Sequence, residues 1–389
     1  MKRNGILRSY CILIDFDVLI IGGGPAGSSA AIALLKKGYP CAIIEKSNYD
    51  DIRFGETLPP TANHSLNWLQ VDKSYLMEQH LPSFANKSAW GNAAVQENNF
   101  MSSPDSNGWH LDRTGFDKYL ALKAKSNGAY YAANSSIKEI RSDKNGGWII
   151  TFTNAIGETA SLKGKFIIDA SGKKSIFAHQ AGARRIYADH LIGAAVLLDA
   201  SVSGAKETNY TLVEAQENGW WYSADLPRKN KIITIFFTDP DLYKDAGSSW
   251  SSWLRLLAKT ELTRKRILQH SGAGVQILPA GSSIINRRSG TDWMCIGDAA
   301  MMFDPLSSSG ISRAMKEGIQ SADIIDDYFK GDRYKLGTYE NSTLEKFKRY
   351  YAQRQRFYNL ETRWKDYPFW KRRIEAIVIP EIDDDPSGI

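Results

Sequence analysis

Three glycines, at 22, 24 and 27, fall in Gly22-Gly23-Gly24-Pro25-Ala26-Gly27, directly after the apolar run Asp17-Val18-Leu19-Ile20-Ile21. A helix-like stretch follows, and a second apolar run, Cys41-Ala42-Ile43-Ile44, ends on Glu45. Glycine spacing alone is a weak signal; strand, turn, helix, strand and acid in this order is a specific one. The chemistry it suits is capture of a diphosphate. Gly22 permits the tight turn, Gly24 lets a pyrophosphate approach the backbone, and Gly27 lets the helix pack on the strand. Pro25 and Ala26 open a helix whose free N–H groups and dipole favour negative charge. Glu45, about 20 residues on, is placed to accept from ribose hydroxyls. Its charge disfavours a 2′-phosphate, so the expected ligand is an adenosine-diphosphate cofactor without one.

These residues need a scaffold, and the order of elements supplies it. A βαβ unit covers residues 16–46, and helix-like segments run from Leu58 to Leu81. Short alternating runs around 84–100 read as strands, and Phe116 to Ser126 has helical spacing. Ala129-Tyr130-Tyr131, Ile137 to Arg141, Trp148 to Thr153 and Ser161 to Asp169 read as strands, with Asn145-Gly146-Gly147 a hairpin turn. Leu191 to Leu198, Thr208 to Glu214, Trp220 to Leu226 and Lys231 to Thr238 predict an antiparallel sheet, interrupted by a helix near Trp250 to Lys259. A buried strand, Trp293 to Ile296, precedes helices over 309–329 and 339–364. The expected fold class is α/β. A Rossmann-like dinucleotide-binding domain takes residues 16–85, 111–185 and 286–330. An inserted, mainly antiparallel substrate domain takes 86–110 and 186–285, and a C-terminal helical region takes 331–389. A crevice between two such units is a natural small-molecule site.

Composition narrows the class. The chain has 389 residues and a net charge of +6, from 49 basic and 43 acidic residues. That mild, interspersed excess argues against a nucleic-acid partner. Three cysteines, at 11, 41 and 295, are too few and too far apart for a disulfide framework, which suggests a reducing, cytoplasmic setting. Six histidines show no ligand spacing, so no metal site is expected. No apolar run reaches the roughly 18 residues of a membrane span. Residues 1–14 read as an extension, and Asp383-Asp384-Asp385-Pro386 as a frayed tail. The basic-aromatic run Lys346-Phe347-Lys348-Arg349-Tyr350-Tyr351 reads as a helix with one packed and one wet face; a partner-docking helix is the sharper alternative.

Four further segments join the glycine turn: Leu111-Asp112-Arg113, Asp169-Ala170-Ser171-Gly172, Gly297-Asp298-Ala299-Ala300 and Asp304-Pro305-Leu306-Ser307-Ser308-Ser309-Gly310-Ile311. In this order they resemble the FAD-dependent monooxygenase family with the hydroxybenzoate-hydroxylase type of fold, over about residues 16–365. The resemblance implies FAD, with Gly22, Gly24, Pro25, Ala26 and Gly27 on its pyrophosphate and Glu45 and Lys46 at the adenosine ribose. It also implies Arg53 near the flavin, Arg113 toward the diphosphate, Ile137 in the cofactor shell, Gly297 and Asp298 at the ribityl chain, and Pro305, Ser309, Gly310 and Ile311 beside the isoalloxazine. NAD(P)H or a reductase would supply electrons and O₂ the oxygen; no second nucleotide-binding glycine turn is present.

Arg53-Phe54-Gly55-Glu56-Thr57-Leu58-Pro59-Pro60 and Gly219-Trp220-Trp221-Tyr222-Ser223-Ala224 resemble the branch of flavin-dependent halogenases and their relatives. The halogenase Trp-x-Trp-x-Ile-Pro segment is only partly kept, with Tyr222, Ala224 and Asp225 in place of the second Trp, the Ile and the Pro. Lys87 falls near the place of the halogenase lysine, in a different local context. The pair is similar to the flavoproteins that act on tryptophan in partner amino-acid oxidases bearing a tryptophylquinone. That implies oxygen insertion into an indole ring of a protein substrate. Trp90, Trp220 and Tyr222 are candidates to line an indole pocket, or else sheet core. No catalytic side chain is identified, because the cofactor carries the chemistry. Alternatives are a monooxygenase or halogenase of a small aromatic molecule, a non-catalytic flavin-binding maturation chaperone, and a geranylgeranyl-reductase-like enzyme.

Overall fold

The computed structural model describes residues 14–100, 103–200, 209–227, 231–245, 247–267, 270–272 and 274–374. Cys11 and the acidic tail at 383–386 lie outside them. The strand Ile14–Ile21 pairs in parallel with Cys41–Ile44 on one side and with Thr159–Asp169 on the other. Tyr130–Ala132 extends the sheet beyond Cys41–Ile44, while Trp293–Cys295 joins in parallel to Thr159–Asp169. Trp148–Thr153 and Ser136–Ser142 close the other edge as antiparallel strands around the Asn145-Gly146-Gly147 turn. Val18, Leu19 and Ile20 are fully buried. Their unbroken apolar run is what a parallel strand covered on both faces requires.

A second sheet holds the aromatic strands. Ile192–Ala200, Lys231–Thr238, Gly219–Leu226 and Tyr210–Gln216 follow one another antiparallel. Ala85–Ala89 then adds in parallel to Tyr210–Gln216, and Gln96–Asn99 pairs with it as an antiparallel outer strand. This one sheet is built from two stretches far apart in sequence. The region read as helical over 58–81 is more broken than its pattern suggests. Thr57–Leu58 is a short strand, and helices form only over Asn63–Trp68 and Lys73–Gln79. The last long helix, expected to reach Trp364, ends at Asn359.

The helix Pro25–Lys36 is sandwiched between the first sheet and the helix Gly310–Phe329, and residues Ala26 to Leu34 are all buried. Small residues make that possible. A Cβ on Gly318 would clash with the Ala26 carbonyl and come within 2.9 Å of the Ala30 nitrogen. The two free cysteines described, Cys41 and Cys295, are buried, and burial pushes the Cys41 thiol up to about 12. Neither is available as a nucleophile. No described helix is long and apolar enough to cross a membrane, and among the described residues no His, Cys, Asp or Glu cluster suits a metal.

The crossing makes a direct prediction. Gly318→Ala forces two backbones apart and should destabilise the protein by about 1–3 kcal/mol, the usual cost of overpacking. Chemical denaturation of the flavin-free protein measures it; an unchanged midpoint would show that the helices do not need this contact.

Candidate functional site

The glycine turn is held from beneath and left open above. Gly22 has φ +104°, and a Cβ there would collide with the Ala170 carbonyl. A Cβ on Gly27 would strike the Gly22 carbonyl, so this glycine seats the helix on the turn. Gly24 differs: its backbone is extended and a Cβ would meet nothing within 4 Å. It is also the N-cap of the helix Pro25–Lys36, with no side-chain cap. The first amides of this helix therefore open onto free space, which is the arrangement an anion needs. Glu45 accepts from the Gly23 amide at 2.7 Å and from the Ser47 amide and hydroxyl at 2.8 and 2.5 Å. Its carboxylate thus orients the turn. Lys46 beside it is exposed, and Ile137 is half-buried on the strand Ser136–Ser142.

A second helix start converges on the same place. The Gly297 backbone has φ +62°, and a Cβ there would lie 3.0 Å from the Ala26 Cβ and 3.7 Å from that of Ala314. This brings the Gly297-Asp298 turn against the first turn of one helix and the second turn of the other. Asp298 is half-exposed, and its Oδ1 accepts from Arg313 Nη2 at 2.7 Å. Arg313 also bonds Glu317, which accepts from the Gly297 amide at 2.9 Å. Ser309 caps the helix Gly310–Phe329 without a side-chain bond, and a Cβ on Gly310 would meet open space. Pro305 opens the short turn before it, while Ile311 is buried. The residues present fit FAD: two uncapped helix starts and an acid at the adenosine end surround space that Gly24 and Gly310 leave clear.

Sequence reading missed what holds these loops. Asp304, buried, accepts from Arg354 Nε at 2.8 Å, from the Tyr358 hydroxyl at 2.8 Å and from the Leu306 amide at 2.9 Å. The Tyr350 hydroxyl accepts from the Asp304 amide at 2.5 Å. Three side chains of the helix Tyr339–Asn359 thus fix the segment expected beside the flavin ring. The packed-face reading of that helix describes it: Phe347, Tyr351, Arg354 and Tyr358 are buried, while Lys348 and Arg349 are exposed. The signal was present as Tyr-x₃-Arg-x₃-Tyr at helical spacing.

The Arg113 guanidinium donates to the Phe54 and Gly55 carbonyls at 2.8 and 2.9 Å and pairs with Asp117 at 3.1 Å. Its observed work is to hold the loop Arg53–Gly55. Arg53 lies closer to the nucleotide turn, bonding Asp117 at 2.7 Å and Ser47 at 2.7 Å, with Glu45 3.8 Å away.

The aromatic candidates separate by face. Trp220 is 0% exposed and donates to the Tyr358 hydroxyl at 3.0 Å; Trp90 donates to the Phe357 carbonyl at 2.8 Å. Both pack with Trp370 and Tyr358 from the C-terminal helices. These two are core, with their indole N–H groups already satisfied, and the pocket reading does not describe them. Tyr222 shares their face but reaches the other lobe, where it meets Glu56 and Thr57. Lys87 pairs in register with Leu212, whereas Ser88 pairs with Val213 and Val213 with Tyr222. Side chains alternate along a strand. Lys87 therefore leaves the sheet on the face opposite Tyr222, where it pairs with Glu97 at 3.2 Å and covers the Tyr210 ring.

Where the lobes meet, a row of buried polar side chains replaces apolar packing. Tyr222 donates to Glu56, Thr57 Oγ1 lies 2.7 Å from Tyr222 Oη and 3.2 Å from Thr211 Oγ1, and Thr211 lies 3.2 Å from His110 Nε2. Burial pushes the Glu56 carboxyl and the Tyr222 phenol up and brings His110 down to about 4.

The chain belongs to the FAD binding domain family, whose signature it matches over residues 15–352. It is 25% identical over 365 residues to LodB of Marinomonas mediterranea, named an FAD-dependent oxidoreductase, covering 92% of this chain and 97% of that protein. Among solved structures it is similar to the myxobacterial chondrochloren halogenase CndH, with a TM-score of 0.80 at 19% identity over 95% of this chain and 87% of that one. It is also similar to QhpG, a peptidyl tryptophan dihydroxylase essential for tryptophylquinone cofactor biogenesis, with a TM-score of 0.68 at 20% identity over 92% and 79%. Relatives further include flavin-dependent halogenases and a brominase of carrier-bound pyrrole-2-carbonyl groups. The protein is an FAD-dependent oxidoreductase.

Two predictions test this geometry. Gly24→Ala suits the extended backbone and should leave the flavin-free protein as stable as before. FAD affinity should nevertheless fall at least about tenfold, or about 1.4 kcal/mol, because the methyl group enters the diphosphate space; fluorescence titration separates the two. For His110, the unfolded chain binds the proton below about 6.5 and the folded one only near about 4. Stability is therefore complete above about pH 6.5 and falls as pH drops toward 4, by up to about 1.4 kcal/mol per pH unit. His110→Gln should lack that slope, so the wild-type minus variant difference measured by urea unfolding should fall as pH drops from about 6.5 toward about 4.

Proposed function

We propose that this protein is an FAD-dependent monooxygenase that hydroxylates a tryptophan side chain of a partner protein during tryptophylquinone biogenesis in an amino-acid oxidase. The observation that carries the choice over halogenation is the orientation of Lys87. A halogenase needs a lysine to pass on the halogenating equivalent, and here the candidate leaves the far side of the sheet and is engaged by Glu97. The full-length likeness to LodB and the common fold with QhpG agree with this reading. A protein substrate also agrees with relatives whose named substrates are carried on proteins.

FAD would be held by the backbone of Gly22, Gly24, Ala26 and Gly27, by Glu45 at its ribose, by Asp298 and by the amides at Ser309, Gly310 and Ile311. When bound and reduced by NAD(P)H or a reductase, it supplies activation of O₂ for oxygen insertion into an electron-rich ring. The chain's own part is electrostatic and geometric. The uncapped start of the helix Gly310–Phe329 favours negative charge on a group placed there. The Asp304, Arg354 and Tyr358 bonds fix that helix start against the C-terminal region. The buried seam from Glu56 to His110 keeps water out of the junction between lobes.

Co-expression with a candidate partner oxidase tests the proposal. Intact-mass and peptide analysis should find one or two added oxygen atoms on a tryptophan-containing peptide, only when this chain is present. Halide-dependent products from free aromatic substrates, with the partner unmodified, would instead establish the halogenase alternative. Partner maturation without flavin turnover would favour the chaperone.

A further inference from the structure

The seam between the lobes contains more than a latch requires. Its row runs Glu56, Tyr222, Thr57, Thr211, His110 and joins residues up to 166 positions apart in the chain. All five side chains are buried, and Glu56 is only 2% exposed. A buried carboxyl group ordinarily takes a cationic partner. Among the described residues Glu56 has none within bonding distance: Arg113, whose charge acts on it, is engaged by the Phe54 and Gly55 carbonyls and by Asp117. What Glu56 meets is the Tyr222 hydroxyl and, at 3.1 Å, the Gly55 amide.

Every member of the row can both donate and accept. In its neutral form, each of a carboxyl group, a phenol, two alcohols and an imidazole carries one transferable proton and at least one lone pair. The ends face different surroundings. Glu56 follows the loop Arg53–Gly55, whose Arg53 approaches the nucleotide turn. His110 stands beside the pair Asp225 and Arg266, 3.0 Å apart, whose carboxylate is partly exposed. The charged groups facing the row are therefore Arg113 at the inner end and Asp225 and Arg266 at the outer end, each bound in its own pair.

We propose that this row is a proton path, from His110 at its outer end, near the partly exposed Asp225, to Tyr222 and Glu56 at the junction of the lobes. Tyr222 and Thr57 act as positioning residues within it. The need for such a path rests on the FAD-dependent oxygenase reading but not on the identity of the substrate. Hydroxylation is R–H + O₂ + NAD(P)H + H⁺ → R–OH + H₂O + NAD(P)⁺. Without substrate the balance is NAD(P)H + O₂ + H⁺ → NAD(P)⁺ + H₂O₂. In both, the hydride donor is oxidised, O₂ is reduced, and one proton enters from solvent. The row offers that proton a route through the protein to the junction of the lobes.

The test needs no partner protein. Wild type, Thr57→Val, Thr57→Ser, Thr211→Val and Glu56→Gln are loaded with FAD, photoreduced and mixed with O₂ across a pH series. Thr57→Val keeps the shape and removes the hydroxyl. It should slow peroxide formation by about a hundredfold, the low end of what positioned proton transfer contributes, with a changed pH profile. Thr57→Ser returns the hydroxyl and should restore both. Thr211→Val breaks the row one step further out and serves if Thr57→Val does not fold. Independently of turnover, the infrared difference between wild type and Glu56→Gln at neutral pH should contain the band of a protonated carboxyl group. Wild-type rates and pH profiles in a folded, flavin-loaded valine variant would overturn the path. So would the absence of that band. A chain that takes up no flavin would sink the proposed function instead, and the infrared measurement would still report on Glu56.

Discussion

The contact on which the rest depends is the close crossing of the helices Pro25–Lys36 and Gly310–Phe329. Gly318 admits the Ala26 carbonyl where any side chain would strike backbone, and the Gly297 turn rests against Ala26 and Ala314. Two helices that begin some 285 residues apart thereby present their uncapped starts to one space. Neither start alone would specify a flavin, since one helix terminus attracts anions without discrimination. Two starts held at a fixed separation by a packed interface define a length and a direction. Close packing transmits such constraints because protein interiors yield little to added volume.

A second constraint ties the cofactor loop to the aromatic sheet. Tyr358 donates to Asp304 on one side and accepts from Trp220 on the other, so a single hydroxyl joins the loop before Pro305 to the sheet core. Arg354 completes this by bridging Asp304 and Asp189, at 2.8 and 2.9 Å. The helix Tyr339–Asn359 is therefore structural cement between the lobes. Its buried Arg354 answers two carboxylates that need donors, and its aromatic side chains cover an aromatic face.

Much of this was legible in the residues. The glycine turn, Glu45, the discontinuous sheets and the helix after Ser309 all follow from local patterns with physical causes. Trp90 and Trp220 were ambiguous, because an aromatic residue on a strand suits a pocket wall and a core equally. What decided them was the C-terminal helices, whose Trp370 and Tyr358 fill the space above. The bonds of Arg113 to the carbonyls of Phe54 and Gly55 were not legible, because those acceptors are contributed by a loop about 60 residues away. Lys87 needed register: one position along the strand would have put it on the other face.

The distribution of charge then separates two kinds of work. Around the cofactor space, charges occur in closed sets: Glu45, Arg53, Asp117 and Arg113; Asp298, Arg313 and Glu317; Asp189, Arg354 and Asp304. Each carboxylate there has its cation, and each set fixes a loop by bonds whose loss would leave a buried charge uncompensated. The seam from Glu56 to His110 is built the other way, from groups that burial pushes toward their neutral forms. Ion pairs make good struts because their protons stay where they are. Neutral hydroxyls, an acid and an imidazole hold two lobes together less rigidly, and they are also the groups through which a proton can move. That such groups were placed at the junction, where apolar side chains would have closed the gap at less cost in desolvation, is the feature of this protein that fold and cofactor binding leave unexplained and proton supply accounts for.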